Sequence, residues 1–246
     1  MKAIILAAGR GRRMKKLGDQ LPKSLVELRG KPLLEYQLTA LRQAGITEIA
    51  LVTGYRNELF VAYNLVEFHN TRWADTNMVT SLCCAKGWLQ AESCIVSYSD
   101  IFYEVSAVKS LVENKGELAL TYDPNWLPLW TQRFGNPLLD AETFRLKSSK
   151  KLSEIGKKPD TTDEVEGQYM GLLKFTPSGW AEIQRLRAEL SSVERDNIHM
   201  TGMLQRVLEA GKLSITALAY SGEWGEVDSL NDLLLYEQLL APSELS

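Results

Sequence analysis

Two acidic residues that could bind a metal ion each follow a predicted β-strand, far apart in the chain. Asp100 follows the apolar segment 94–98, and Asp228 follows the segment that begins at Trp224. Carboxylate oxygens are the ligands that Mg²⁺ uses in proteins, together with water and substrate phosphates. Because parallel strands end at one edge of a sheet, we expect Asp100 and Asp228 to lie close together as metal ligands. The alternative for each is an ordinary turn or helix-capping role.

A glycine-rich basic segment near the N-terminus could bind phosphate. It follows a predicted strand over 2–6, and residues 10–23 include six basic residues and one acid, Asp19. Small residues let backbone N–H groups approach a ligand closely, and arginine and lysine can neutralise the roughly four negative charges of a nucleoside triphosphate. A solvated basic loop is the alternative. Its position at the carboxyl end of the first strand favours a ligand site.

Two other nucleotide-binding motifs do not fit this segment. Met14 occupies the place of the third glycine of a dinucleotide-binding loop, and no Gly-Lys-Ser/Thr follows Gly9 at the Walker spacing. The two histidines, His69 and His199, have no recognisable catalytic context. We therefore expect chemistry that needs no imidazole base and depends on positioning and charge neutralisation.

Composition excludes several classes of protein. The chain has 246 residues and a formal net charge of -3, which argues against a nucleic-acid partner because such proteins need a broad basic surface. The N-terminal apolar segment is too short to cross a membrane, so we expect no membrane insertion. Three cysteines form neither a disulfide framework nor a zinc motif, which indicates a cytoplasmic location.

Alternating apolar strands and amphipathic helices predict a single α/β domain over 1–246. The predicted strands cover 2–6, 48–53, 94–98, 117–122, 169–175, 213–219 and 224–228. The predicted helices cover 33–44, 77–90, 178–190 and 197–210, with a last helix after Ser229, where Asp232 could complete a capping box. Residues 124–167 differ in character, with tryptophans, prolines and lysines, and predict an irregular and antiparallel insertion that covers the site.

The basic loop carries a recognisable signature. Leu6-Ala7-Ala8-Gly9-x-Gly11-x-Arg13-Met14, followed by Pro22-Lys23-Ser24-Leu25-Val26, resembles the sugar nucleotidyltransferase superfamily. The resemblance implies a Rossmann-like three-layer α/β/α fold with a mixed, mostly parallel sheet. It also implies that the loop contacts the triphosphate and the base. The family has one metal-binding aspartate after its central strand and another in a Glu-Val-Asp segment, which Asp100 and Glu226-Val227-Asp228 match.

The same resemblance implies the roles of individual residues. The residues expected to act in catalysis are Arg13, Lys23, Asp100 and Asp228, and the last two are the expected ligands of Mg²⁺. The expected nucleotide-binding residues are Leu6, Ala7, Ala8, Gly9, Gly11, Arg12, Arg13, Lys23, Asn77 and Ser81. Arg12 departs from the family pattern, which has Ser or Thr there. Asn77 and Ser81 offer hydrogen bonds that suit a pyrimidine edge, or they could cap a helix.

Beyond this signature, the chain resembles bacterial cytidylyltransferases of the phosphocholine, phosphonate and phosphoglutamine group. The resemblance lies in segments 76–82, 98–101, 133–142 and 166–171. It implies transfer of CMP from CTP to a small phosphorylated or phosphonate acceptor, with release of pyrophosphate. Residues with charges or rings that suit a zwitterionic acceptor are Trp130, Arg133, Lys157, Glu166, Gln168 and Tyr169.

Three other functions stay open from the sequence. A sugar-1-phosphate nucleotidylyltransferase would share the loop and the metal ligands. A metal-dependent glycosyltransferase normally has Asp-x-Asp after its central strand, where this chain has Tyr98-Ser99-Asp100. A non-catalytic nucleotide-binding module is disfavoured by Lys23 and the two aspartates. The chain could also form a homo-oligomer.

Overall fold

The computed structural model describes residues 1–11, 21–147 and 150–239. Its strands are β1 (Lys2–Ala7), β2 (Glu27–Leu28), β3 (Lys31–Pro32), β4 (Ile49–Thr53), β5 (Val66–His69), β6 (Cys94–Tyr98), β7 (Ile101–Tyr103), β8 (Leu118–Asp123), β9 (Phe144–Lys147), β10 (Lys151–Ile155), β11 (Gln168–Phe175), β12 (Ile215–Ala219) and β13 (Trp224–Glu226). The α-helices are α1 (Leu33–Gln43), α2 (Met78–Cys83), α3 (Lys86–Ala91), α4 (Val105–Glu113), α5 (Trp126–Phe134), α6 (Pro177–Ala188), α7 (Ser192–Asn197), α8 (Met200–Ala210) and α9 (Leu230–Leu239).

One large sheet organises the described chain. Its nine strands follow the order β5-β4-β1-β6-β11-β8-β12-β10-β9. The strand pairings give seven strands one direction, and β11 and β10 run opposite to them. The sheet is therefore mixed and mostly parallel in strand direction, and the predicted fold class is confirmed.

The central strands are buried on both faces of the sheet. Every residue of β4 is buried, and so is nearly all of β1 and β6. Successive residues of a strand point to opposite faces, so a continuous apolar run needs cover on both sides. One group of helices contains α1 and α4, and another contains α3, α6 and α8. These helices and the sheet form the three layers.

A small antiparallel pair lies outside the large sheet and carries part of the site. Strands β7 and β13 pair so that Ile101 lies opposite Glu226 and Phe102 opposite Gly225. Phe102 and Val227 belong to a second apolar cluster with Tyr236 of α9. This packing joins the C-terminal helix to the segment that follows β6.

The segment 124–167 is more regular than predicted. It contains α5, and β9 and β10 extend the large sheet as an antiparallel pair. The spacing of Trp126 and Trp130 explains the helix, because both side chains face the core one turn apart. The antiparallel part of the prediction is confirmed, and irregular structure is wrong for residues 126–134.

Most other elements agree with the sequence prediction. The expected helix over 77–90 is two short helices, α2 and α3, because the chain turns between them and the Ala85 N–H bonds to the Leu82 carbonyl. The sequence prediction missed α4, α7, β5, β7 and the short β2–β3 pair. The capping box at Ser229 is confirmed, since the Asp232 carboxylate accepts from the Ser229 N–H at 2.8 Å and the Ser229 hydroxyl accepts from the Asp232 N–H at 3.3 Å.

No helix within residues 1–11, 21–147 and 150–239 is both long and apolar enough to cross a bilayer.

Candidate functional site

The carboxyl end of β1 opens into a cavity of about 330 Å³. The cavity lies between the loop that follows β1, the start of α2 and the end of β6. Its lining residues are Leu6, Ala8, Gly9, Gly11, Lys23, Trp73, Thr76, Asn77, Met78, Ser81, Tyr98, Ser99 and Asp100. We call it the loop cavity.

Asp100 and Asp228 meet beside the loop cavity, although 128 positions separate them in sequence. The Val227 N–H donates to the Asp100 carbonyl at 2.8 Å, next to the β7–β13 pairing. The predicted proximity is therefore present, but its cause differs from the one we expected. The antiparallel β7–β13 pair brings Asp228 to Asp100, because β13 does not belong to the large sheet.

Glu226 adds a third carboxylate to this cluster. Ligand oxygens of Asp100, Glu226 and Asp228 all lie within 4.8 Å of one another. Burial raises the pKa of Glu226 to about 8, and the neighbouring Asp228 and Asp100 carboxylates add to the rise. Converging hard oxygen ligands with mutual repulsion suit a divalent cation, which would offset their charge. The cluster therefore fits the expected metal.

Lys23 lies against the same carboxylates. Its Nζ donates to Asp100 Oδ2 at 2.8 Å and also to Asp228 Oδ1. Burial lowers the pKa of Lys23, but Asp100 and Asp228 together raise it above the usual value for lysine, so the side chain is charged. Gly11 permits this placement, because its φ is 68° and a Cβ there would lie 2.6 Å from Lys23 Cγ.

A second cavity of about 180 Å³ adjoins the first. We call it the acidic cavity, because Asp140, Glu142 and Glu226 line it and none of its described lining residues is a lysine or an arginine. Its lining residues are Met78, Tyr98, Asp140, Glu142, Gln168, Tyr169, Met170, Gly171, His199, Thr201 and Glu226. Met78 and Tyr98 line both cavities. Because Asp100 lines the first and Glu226 the second, the carboxylate cluster lies at their junction.

The structure brings most of the expected nucleotide-binding residues to the loop cavity. The residues that line it are Leu6, Ala8, Gly9, Gly11, Lys23, Asn77 and Ser81. Ala7 is buried in the core instead. Arg12 and Arg13 lie outside the described residues.

Asn77 and Ser81 have structural contacts as well as a place in the loop cavity. The Asn77 side chain caps α2 by accepting from the Met78 N–H at 2.8 Å. The Ser81 hydroxyl accepts from Asn70 Nδ2 at 3.0 Å. Asn77 is therefore compatible with both of the roles left open by the sequence, whereas the capping role is wrong for Ser81, which lies inside α2.

The expected acceptor-binding residues separate into three groups. Gln168 and Tyr169 line the acidic cavity. Lys157 and Glu166 line neither cavity: the Lys157 side chain is 60% exposed beside Glu154, and Glu166 accepts from the Leu146 N–H. These two lie along the β9–β10 extension, where lysines and acids are solvated.

Trp130 and Arg133 form the third group, and the structure corrects the expectation for both. Trp130 is 0% exposed in the core, where apolar burial holds its ring. The Arg133 side chain is also 0% exposed and pairs with Glu226 and Asp232. Neither residue lines the loop cavity or the acidic cavity.

Three acidic residues and one histidine at the site were missed by the sequence analysis. Glu226 is the third carboxylate of the cluster, and the matched Glu-Val-Asp segment was the signal for it. Asp140, Glu142 and His199 line the acidic cavity. Asp140 and Glu142 lie inside a segment that already resembled cytidylyltransferases, but His199 offered no signal because only the fold brings it near Asn77, at 3.0 Å.

Comparisons with known proteins identify the family of this chain. Residues 3–159 match the family described as the MobA-like NTP transferase domain. A CTP:phosphoglutamine cytidylyltransferase from Campylobacter jejuni is 38% identical over 252 residues, which cover 95% of this chain and 98% of that protein. A choline-phosphate cytidylyltransferase from Streptococcus pneumoniae is 41% identical over 90 residues, which cover 35% of this chain and 39% of that protein.

A solved structure shows the same fold. The CTP:phosphocholine cytidylyltransferase of Streptococcus pneumoniae superposes with a TM-score of 0.73 at 22% identity and covers 98% of this chain and 99% of that one. Together with the sequence matches, this establishes that the chain belongs to the MobA-like NTP transferase domain family and is a nucleotidyltransferase related to the cytidylyltransferases.

Proposed function

We propose that this enzyme transfers CMP from CTP to phosphoglutamine or a close zwitterionic analogue and releases pyrophosphate. The observation that carries the proposal is the position of the Asp100–Glu226–Asp228 cluster at the junction of two cavities. Group transfer needs two substrates to meet at one reacting centre. The relative that shares nearly the whole chain supports this choice of substrates.

The nucleotide belongs in the loop cavity. The backbone at Gly9 and Gly11 would approach the triphosphate, and Asn77 and Ser81 would contact the base. An acceptor phosphate oxygen attacks the α-phosphorus in line, which forms an O–P bond and breaks the bond between the α-phosphorus and the oxygen bridging to the β-phosphorus. Lys23, and Arg13 by resemblance, would neutralise the pyrophosphate that leaves. Because the acceptor phosphate is already ionised, no general base is required.

Asp100 and Asp228, with Glu226, would hold Mg²⁺. The ion supplies charge neutralisation at the phosphates when it is bound. Lys23 now contacts Asp100 and Asp228, so its ammonium group would turn from them toward the triphosphate when the metal binds. This places one basic side chain within reach of both the carboxylates and the leaving group.

The acidic cavity would receive the ammonium end of the acceptor. Asp140 and Glu142 supply negative charge there, and Tyr98 and Tyr169 supply aromatic rings. An aliphatic or neutral sugar acceptor would make no charge-assisted contact with Asp140 or Glu142. The proposed acceptor class is therefore a small phosphate or phosphonate that also carries a positive charge.

A pyrophosphate-release assay tests the substrates. Four nucleoside triphosphates are offered with Mg²⁺ against phosphoglutamine, phosphocholine, 2-aminoethylphosphonate and sugar 1-phosphates. We expect turnover with CTP and the zwitterionic acceptors, highest with phosphoglutamine, and none after metal chelation. Turnover with sugar 1-phosphates alone would overturn the acceptor assignment.

The variant Glu142→Gln tests the ammonium contact. Removing this charge should raise KM for 2-aminoethylphosphonate by about 10-fold, from a lost charge-assisted contact of roughly 1.5 kcal/mol, and should leave KM for CTP unchanged. Ethylphosphonate, which lacks the amine, should be a poor acceptor for both proteins. Equal KM values for the two acceptors in the parent enzyme would count against the contact.

We also propose a cytoplasmic location. All three cysteines are free thiols, and burial raises the pKa of the Cys94 thiol to about 12, so it is unreactive. Thiols of this kind are typical of a reducing compartment.

A further inference from the structure

We infer that Arg133 is a positioning residue that holds the carboxylate cluster ready for its metal ion. The inference rests on the proposed metal site but not on the choice of acceptor. Arg133 lies in the last turn of α5, and its sequence context predicts acceptor contact for this residue. Its guanidinium group lines neither the loop cavity nor the acidic cavity, and it pairs with the acidic residues of the cluster.

The contacts of Arg133 reach two cluster members and one supporting acid. Its Nε donates to Asp232 Oδ1 at 2.8 Å, and a terminal nitrogen donates to Glu226 Oε2 at 3.4 Å. The other terminal nitrogen lies 3.8 Å from Asp228 Oδ2. One planar group with fixed N–H directions therefore sets the spacing of Glu226 and Asp228 relative to Asp232.

Asp232 connects Arg133 to the backbone that carries Asp228. Its Oδ1 accepts from Arg133, while its Oδ2 accepts from the backbone N–H groups of Asp228 and Ser229 at 3.1 and 2.8 Å. The same carboxylate thus binds the arginine and the main chain that carries Asp228. A shift of Arg133 would therefore displace Asp228 through two hydrogen bonds, one from Arg133 to Asp232 and one from the Asp228 N–H to Asp232.

Burial makes the arginine hard to replace. Its side chain is 0% exposed, and its guanidinium carbon lies 4.5 Å from the centre of the Trp130 ring and 4.8 Å from that of Phe134. The rings fix the guanidinium plane from the core side, and the acids fix its edge. A lysine at position 133 would keep the positive charge and neutralise the cluster. It lacks the planar guanidinium group with its fixed N–H directions, so it would not align the carboxylates.

The supporting interactions of metal ligands tune affinity without touching the substrate. Loss of such a partner commonly weakens metal binding by about 10- to 100-fold. We therefore expect Arg133→Met to weaken Mn²⁺ binding, measured by electron paramagnetic resonance on the protein without substrates, by about that factor. Arg133→Lys should fall between Arg133→Met and the parent protein, and the Mg²⁺ concentration for half-maximal rate should follow the same order.

The controls separate positioning from damage to the fold. Arg185→Met removes an arginine of α6 that pairs with Glu182 and Glu189 and lines neither cavity, and it should leave Mn²⁺ affinity and rate unchanged. Near-parental melting of Arg133→Lys, with weaker Mn²⁺ binding and an unchanged KM for the acceptor, is the result that supports the inference.

Three results would overturn it. Parental Mn²⁺ affinity in folded Arg133→Lys and Arg133→Met would show that the cluster needs no such support. A selective rise in KM for the acceptor would return Arg133 to acceptor contact. No Mn²⁺ binding by the parent protein would remove the metal site itself, whereas an error in the proposed acceptor would appear only in the substrate screen.

Discussion

Lys23 shows how one side chain can serve two parts of a reaction. It lies against Asp100 and Asp228, and the loop glycine Gly11 leaves room for its aliphatic chain. A buried ammonium group between two carboxylates neutralises charge that would otherwise repel. The same group is within reach of a triphosphate in the loop cavity.

We predict that Lys23→Met lowers kcat by about 100- to 1000-fold, the usual cost of losing one charge-stabilising contact in a transition state. KM for CTP should rise more than KM for the acceptor, because the lost contact faces the triphosphate. Steady-state kinetics with each substrate varied in turn provide the measurement.

Lys2→Met is a matched control for that experiment. Lys2 pairs with Glu48 and Glu92 at the opposite end of β1, away from both cavities. Its loss should leave both KM values at the parental level. Equal increases in both KM values for Lys23→Met would contradict the placement of Lys23 at the triphosphate.

At the level of elements, β11 connects the sheet to the site through an irregularity. Its pairing with β8 shifts register between Tyr169 and Leu173, and Gly171 within this stretch has φ of 79°. A Cβ on Gly171 would lie 2.8 Å from the Tyr98 ring, which lines both cavities. The irregularity therefore brings Tyr169 beside Tyr98, with their ring centroids 5.8 Å apart.

We predict that Gly171→Ala destabilises the protein by about 1–3 kcal/mol, from a left-handed backbone and a forced ring displacement. It should also raise KM for the acceptor, because Tyr98 must move. Urea unfolding and steady-state kinetics measure the two effects.

Gly87→Ala is a control that should change the free energy of unfolding in the opposite direction. Gly87 lies within α3, and a Cβ there meets no heavy atom within 4 Å. Alanine should stabilise the helix by about 0.5–1 kcal/mol and leave the kinetics unchanged. Similar changes in stability for both glycines would refute the steric argument.

At the level of the whole molecule, Asp123 connects the large sheet to the small β7–β13 pair. Asp123 ends β8, and its carboxylate accepts from Trp224 Nε1 at 3.0 Å and from the Asn125 N–H at 2.7 Å. Burial raises the pKa of Asp123, and these two hydrogen bonds only partly oppose the rise. Trp224 starts the strand that delivers Glu226 and Asp228 to the site.

The raised pKa of Asp123 predicts a pH dependence of stability. The folded protein binds this proton more tightly than the unfolded chain, so the favourable contribution is present at acidic pH and is lost as pH rises through the folded-state pKa. Relative to Asp123→Asn, the parental protein should therefore lose stability between acidic and neutral pH. Urea unfolding of both proteins across that range gives the difference, and a constant difference would contradict the linkage.

Local sequence determined the buried central strands, the loop after β1 and the chemistry they could support. Apolar runs such as 94–98 predicted the buried strands, because a strand covered on both faces has no polar side. Glycines and basic residues after β1 indicated a phosphate site, and the prediction of a nucleotidyltransferase related to cytidylyltransferases is confirmed by the family match and the Campylobacter relative.

Only the tertiary structure decided which distant side chains meet and which face each one occupies. Asp228 reaches Asp100 through the β7–β13 pairing. Arg133 is buried in the core because its guanidinium group contacts the Trp130 ring and donates to Asp232. Composition and spacing report what a residue can do. Burial and long-range pairing set what surrounds it, and these arise from contacts between segments that no local pattern contains.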